Sequence, residues 1–393
     1  MLIGIVGKPS TGKSSFFMAA TSVAVERSPR PFTTIKPNRA VGYVEVECVD
    51  KEFGVQCNPR TGYCINGRRF VPVELLDVAG LVPGAHEGKG LGNKFLDDLR
   101  QADVLIHIVD ASGSTNENGE KVAMGSYDPA NDIKFLETEL DYWIKGIMDN
   151  NWARLVKDSK KDGNEKVLFE QFTGLGINRA SIARTLNDLA LKEKPLDRWT
   201  EEDKFSFAKK MRAVGKPIVI AANKCDLPGA YKNYERLVKQ FPEYLVIPCS
   251  AEAEIALKSA AKNGFIKYIP GDSDFEIVGR LDEQQKKAME FLRGYMKMAN
   301  GTGVQKCLNA AVFDFLHYIA VFPGGVNKLA DSKGNILPDC FLMKPGSTAL
   351  DFAAMIHTDL AKGFVKAIDV RTKKALGAEH VLKHRDVIEI MSR

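Results

Sequence analysis

No stretch of this 393-residue chain approaches the roughly 18 consecutive apolar residues of a membrane-spanning helix, so no membrane span is expected. A cleavable signal peptide is not expected either, because the first apolar run leads straight into the loop GKPSTGKS, which cleavage would remove. The seven cysteines include no CxxC spacing, and the closest pair in sequence, Cys57 and Cys64, stands too far apart for a zinc knuckle; they read as reduced thiols of a cytoplasmic protein. Low-complexity segments and internal repeats are absent. A large excess of either charge is absent too: the formal net charge of +5 permits an acidic partner such as RNA without requiring one. The remaining composition, 45% apolar and 27% charged, is that of a folded globular chain, and its length suits two or three domains.

Short apolar runs recur, each followed by turn residues: 2–6, 71–78, 104–111, 217–224 and 244–251. Rich in β-branched residues and bounded by Gly, Pro, Asn or Asp, they read as buried strands of a mostly parallel sheet. Helical patterns such as 92–102 lie between them, which makes the fold class α/β with helices on both faces of the sheet. Residues 132–212 are highly charged in both signs with apolar residues at helical spacing, as in 133–148, and read as a helical insertion. The segment 282–299 reads as a further helix. From 317 to 393 the pattern is strand, turn, helix, strand, with a last strand at 384–391, enough for a separate small domain. The expected division is therefore 1–131 with 213–316, then 132–212, then 317–393.

Residues 7–14, GKPSTGKS, fit G-x-x-x-x-G-K-[ST] between a strand and a helix. Glycines there let successive backbone N–H groups converge on an anion at a helix N-terminus. Gly7, Ser10, Thr11, Gly12, Lys13, Ser14 and Ser15 are the expected phosphate-binding residues, with Lys13 reaching the β- and γ-phosphates and the Ser14 hydroxyl taking a Mg²⁺ position. The stretch LLDVAG supplies Asp77 for Mg²⁺ and the Gly80 N–H for the γ-phosphate. After the strand PIVIAA comes NKCD, residues 223–226. Guanine offers N1–H and N2–H₂ as adjacent donors, which one carboxylate accepts together, whereas adenine has neither. Asp226 is thus the expected guanine selector, with Asn223 bridging loops and Lys224 lying along the ring. In CSAE, residues 249–252, Ser250 and Ala251 come to the base, the Ala251 N–H towards guanine O6.

These residues resemble the Obg-related translation-factor GTPases. The stretches 77–103 and PFTTIKPN (31–38) are most similar to the YchF subfamily, and residues 341–360 are similar to a TGS domain, a ubiquitin-like β-grasp module. The resemblance spans nearly the whole chain. It implies that PFTTIKPN is the first switch, with Thr34 as its Mg²⁺-binding threonine and Thr33 as the alternative. Leu81 stands where Ras-like enzymes carry a water-orienting glutamine, so hydrolysis is expected to be slow; His86 is a candidate to assist. YchF proteins prefer ATP through an altered base motif, but NKCD is intact here, and GTP is the expected ligand. Potassium-activated relatives usually carry Asn where this chain has Ser10, which weakens the case for K⁺. The family further implies a ribosome or RNA partner, engaged through the insertion and the TGS part, with no DNA sequence specificity. Lys362, Lys366, Arg371, Lys373, Lys374, Lys383 and Arg385 are the basic residues that a phosphate backbone could use. His357 reads as a structural histidine.

Overall fold

The computed structural model describes residues 1–22, 38–78, 98–331 and 333–393. Thr33, Thr34, Gly80, Leu81 and His86 lie outside the described residues, as does most of the expected helix 92–102. The chain divides into two compact units, one formed by residues 1–17 and 75–253, the other by 18–74 and 254–393.

The first unit is built on parallel strands. Leu2–Val6 pairs with Val104–Asp110, which pairs with Ile218–Asn223, which pairs with Leu245–Pro248. The last residues of strand Arg68–Asp77 flank Leu2–Val6, and beyond them the Val78 N–H donates to Ile5 O. Every residue of Leu2–Val6, Val104–Asp110 and Ile218–Asn223 is buried, which is why the sequence shows unbroken apolar runs rather than alternation. The strand expected over 244–251 stops at Pro248. There the Ser250 hydroxyl accepts the Ala253 N–H (3.1 Å) at the start of helix Ala251–Lys262, so its chemistry favours a helix start over continued strand.

The charged stretch is a helical insertion of several helices. Two long helices, Ala130–Asp149 and Glu201–Gly215, enclose three shorter ones, Trp152–Asp162, Asn164–Phe172 and Arg179–Asp188. Gly163, at φ +82°, separates the first two short helices, and the Asn178 side chain caps the third through the Ser181 N–H. A capping box joins Thr200 and Asp203 at the head of the second long helix. The two long helices are clamped by Arg212, whose guanidinium meets Asp141 (2.7 Å) and Glu137 (3.0 Å).

In the second unit, Tyr63–Ile65 and Arg68–Asp77 form a hairpin, with Arg39–Glu47 beside it. Its C-terminal part is a five-stranded sheet in the order Phe341–Met343, Ile319–Pro323, Val387–Ser392, Phe364–Asp369, Ala375–Leu376. The first and last strands in sequence, Ile319–Pro323 and Val387–Ser392, run parallel at its centre. Helix Ala349–Ile356 packs Phe352 and Ala349 into a core with Val321, Met343, Ala367, Leu382 and Ile388. This is the small β-rich module that the C-terminal sequence pattern anticipates. The His357 Nδ1 accepts the Asp359 N–H (3.2 Å), capping helix Thr358–Lys362, which accords with a structural role.

Candidate functional site

At the carboxyl ends of the parallel strands, where ligands of open α/β sheets bind, lies a cleft of about 520 Å³. Ser10, Gly12, Lys13, Ser14 and Ser15 line one side; Asn223, Lys224, Asp226, Ser250 and Ala251 line the other. Residues more than 200 positions apart in sequence are thus brought to one cavity, with the N-terminus of helix Lys13–Thr21 at its edge.

The loop before that helix is shaped by unusual backbone. Ser10 takes φ +64° and Gly12 φ +91°. A Cβ on Gly12 would stand 2.3 Å from Asn223 Nδ2, so only glycine fits against the opposite loop. Asn223 explains the closeness. Its Nδ2 donates to Thr11 O (2.9 Å), while its Oδ1 accepts the Ala251 N–H (3.0 Å). One buried side chain therefore ties the loop at 7–14 to the loop at 249–252. Thr11 is wholly buried and its hydroxyl donates to Lys8 O (3.0 Å), so it braces the loop from behind instead of lining the cleft.

Lys224, at φ +64°, reaches back across the loop. Its Nζ donates to Ser10 O (3.0 Å) and pairs with Asp110 (2.8 Å), the last residue of strand Val104–Asp110. Burial pushes the Asp110 carboxyl up, but Lys224 and the Ser112 and Ser114 hydroxyls outweigh it and hold the acid below its ordinary value. Lys13 pairs with Asp77 (2.9 Å) and also donates to Val78 O. Ser15 donates to Glu252 (2.7 Å).

Mg²⁺ prefers hard oxygen donors. Asp77 Oδ1 meets the Lys13 ammonium at 2.9 Å, and Ser14 offers a hydroxyl to the cleft that Lys13 also lines, so a carboxylate and a hydroxyl oxygen stand on either side of Lys13 and the donor chemistry fits this ion. Sequence reasoning missed several residues here. Asp110 sits in no motif, and its role follows only from the parallel register that sets it beside Asn223. Lys8, an unconstrained position of the loop motif, is buried against Asp132 (2.9 Å) and lies 3.8 Å from the centre of the Tyr127 ring. Lys121 and Leu227 also line the cleft, without a local signal that marks them.

Three family models match the chain: a 50S ribosome-binding GTPase model over 2–136, an Obg-like GTPase, G4 motif-containing domain over 221–325, and a TGS domain over 332–392. The chain is 49% identical over 395 residues to a GTP-binding protein of Methanocaldococcus jannaschii, covering 100% of this chain and 99% of the relative. It is 28% identical to the ribosome-binding ATPase YchF of Bacillus subtilis, over 98% of this chain and 97% of that one. A crystal structure of a GTP-binding protein from Pyrococcus horikoshii matches with a TM-score of 0.77 at 38% identity, with complete coverage of both chains. The matched models, the parallel-sheet nucleotide cleft and the C-terminal β-rich module agree: the chain belongs to the Obg/YchF family of P-loop GTPases that carry a C-terminal TGS domain.

Proposed function

We propose that this protein is a guanine-nucleotide switch that binds GTP with Mg²⁺ and hydrolyses it slowly. The observation that supports the reading is the Asn223 bridge between the loop at 7–14 and the loop at 249–252, beside a single cleft that Asp226 also lines. Phosphates held at Gly7, Ser10, Gly12, Lys13, Ser14 and Ser15, with Gly80, would leave the base beside Asn223, Lys224, Asp226, Ser250 and Ala251, while Thr11 braces the loop from behind. Asp226 accepts N1–H and N2–H₂ of guanine together.

With nucleotide in place, Lys13 turns from Asp77 to the β- and γ-phosphate oxygens and stabilises the charge that develops there. Ser14, Asp77 and Thr34 are the residues that would hold Mg²⁺, which when bound neutralises charge on the same oxygens. Water attacks the γ-phosphorus, the bond to the β,γ-bridging oxygen breaks, and GDP and phosphate leave. Leu81 offers no group to align that water, so turnover is slow unless His86, Thr33 or a partner contributes. The division into a nucleotide-binding domain (1–131 and 213–316), a helical insertion (132–212) and a C-terminal domain (317–393) belongs to the same reading.

The output is directed at the ribosome or RNA. Support comes from the ribosome-binding GTPase model matched over 2–136 and from exposed Lys366, Lys373, Lys374 and Lys383 in the TGS part. Arg371 and Arg385 are instead paired with Glu52 and Glu47 and contribute less free charge. Among the described residues no helix is long and apolar enough to cross a membrane. The test of the nucleotide reading is competition binding of GTP, GDP, ATP and ADP with Mg²⁺. Guanine nucleotides should win by at least about 100-fold, and Asp226→Ala should abolish the preference, since a site built for hydrogen bonds rejects a ligand lacking them. Equal binding of ATP would instead support an ATPase, as the B. subtilis relative is named.

A further inference from the structure

Away from the nucleotide cleft, the fold of the second unit gathers three of the seven cysteines. Cys48 follows strand Arg39–Glu47, Asp50 opens the single turn Asp50–Phe53, Cys57 lies on the loop beyond, and Cys64 sits in hairpin strand Tyr63–Ile65. The three thiol sulfurs and an Asp50 carboxylate oxygen all lie within 4.8 Å of one another. Cys48, Asp50 and Cys57 are buried and Cys64 is partly so.

Chance apolar packing does not account for this group, because a carboxylate 2% exposed has been drawn in among the sulfurs. A disulfide does not describe it either: Cys48 Sγ and Cys57 Sγ are 3.8 Å apart, against about 2.05 Å for a bond. That spacing is, however, the edge of a tetrahedron whose centre lies about 2.3 Å from each sulfur, the usual Zn–S distance.

Charge balance points the same way. Arg69 stands directly opposite Cys64 in the hairpin register, is fully buried, and donates to Leu337 O (3.1 Å) and Pro338 O (3.0 Å). Its Nε has no hydrogen-bond partner. A buried guanidinium is costly unless negative charge stands near it. Four anionic ligands on a divalent ion leave two negative charges near it, one more than the Asp50 carboxylate supplies beside neutral thiols.

We propose that Cys48, Asp50, Cys57 and Cys64 bind a structural zinc ion. Three thiolates and one carboxylate complete a closed tetrahedral set with no open position for substrate, and this mixed set suits zinc better than an all-cysteine iron–sulfur cluster. The ion pins the loop from 48 to 64, which in turn carries the start of the TGS part: the Asn58 N–H donates to Ile336 O (2.8 Å), the Arg60 N–H to Pro338 O (2.9 Å), and the Arg60 guanidinium pairs with Asp339.

The experiment is elemental analysis of the full-length protein purified in reductant without chelator. One zinc per chain is expected, falling below about 0.1 in Cys57→Ser/Cys64→Ser, as removal of two of four ligands demands. Because that variant could fail to fold, wild-type protein is also exchanged into Co²⁺, where the intense visible bands of tetrahedral thiolate-bound cobalt are expected. Loss of zinc from the wild type should leave the chain less heat-stable and its thiols open to alkylation. Zinc-free protein of unchanged stability that shows no cobalt spectrum, iron with acid-labile sulfide in place of zinc, or peptide mapping that finds Cys48 joined to Cys57 would each overturn the proposal.

Discussion

Asn223 does more for the nucleotide cleft than its place in a four-residue motif suggests. Removing its side chain leaves Thr11 O and the Ala251 N–H without their partner inside a buried contact. Asn223→Ala is therefore predicted to destabilise the chain by about 2–4 kcal/mol, from two buried groups at about 1–2 kcal/mol each. Urea unfolding measures that loss, and nucleotide affinity should fall with it. Gly12→Ala meets the same side chain from the other direction. At φ +91° and with 2.3 Å to Asn223 Nδ2, the new methyl cannot be accommodated without separating the two loops. GDP affinity should drop by more than tenfold in a binding titration while the secondary structure seen by circular dichroism stays unchanged.

His107 is a second residue whose surroundings set its behaviour. Deep in strand Val104–Asp110, it is pushed down to about 3, first by burial and then by the nearby Lys8 charge. A folded value below the unfolded value of about 6.5 means that the unfolded chain binds the extra proton between those limits. The contribution to stability is complete above pH 6.5 and is lost as pH falls towards 3, at up to about 1.4 kcal/mol per pH unit. His107→Gln should flatten the slope of unfolding free energy between pH 6.5 and 4.5. An unchanged slope would contradict the neutral, buried assignment.

At the scale of elements, the parallel strands were legible because burial on both faces forces uninterrupted apolar runs, as in LIGIV and PIVIAA. The helical insertion was legible only as helical. Its internal breaks rest on Gly163 and Asn178, single residues in a background of alternating charge, and its closure depends on Arg212 meeting Asp141 and Glu137 about 70 residues earlier. No local pattern announces such a pair. Arg212 is 4% exposed, and burial lifts the Asp141 carboxyl although Arg212 opposes it. Truncating Arg212 to Ala strands two acids in the contact between the long helices, and a loss of about 3–5 kcal/mol is predicted. Arg212→Ala/Asp141→Leu should recover part of it. Thermal unfolding of the single and double variants distinguishes a buried ion cluster from a solvated one, which would cost less than about 1 kcal/mol.

For the whole molecule, the residues that line the candidate cleft were readable in the sequence because they belong to backbone-defined loops that need particular residues at particular turns. What stayed hidden were side chains recruited through the sheet register, Asp110 above all, and the thiol cluster, whose members come from a strand end, a loop and a hairpin. The central claim is that the cleft selects guanine through one carboxylate. Xanthine carries a carbonyl at C2 where guanine carries an amino group, so an amide in place of the acid should reverse the preference. The decisive measurement is Mg²⁺-dependent binding of GTP and XTP to the native protein and to Asp226→Asn. The account predicts that the variant loses GTP affinity by at least about 100-fold and gains XTP binding, with phosphate contacts unaltered. A variant that keeps its GTP affinity, or never binds XTP while remaining folded, would contradict it.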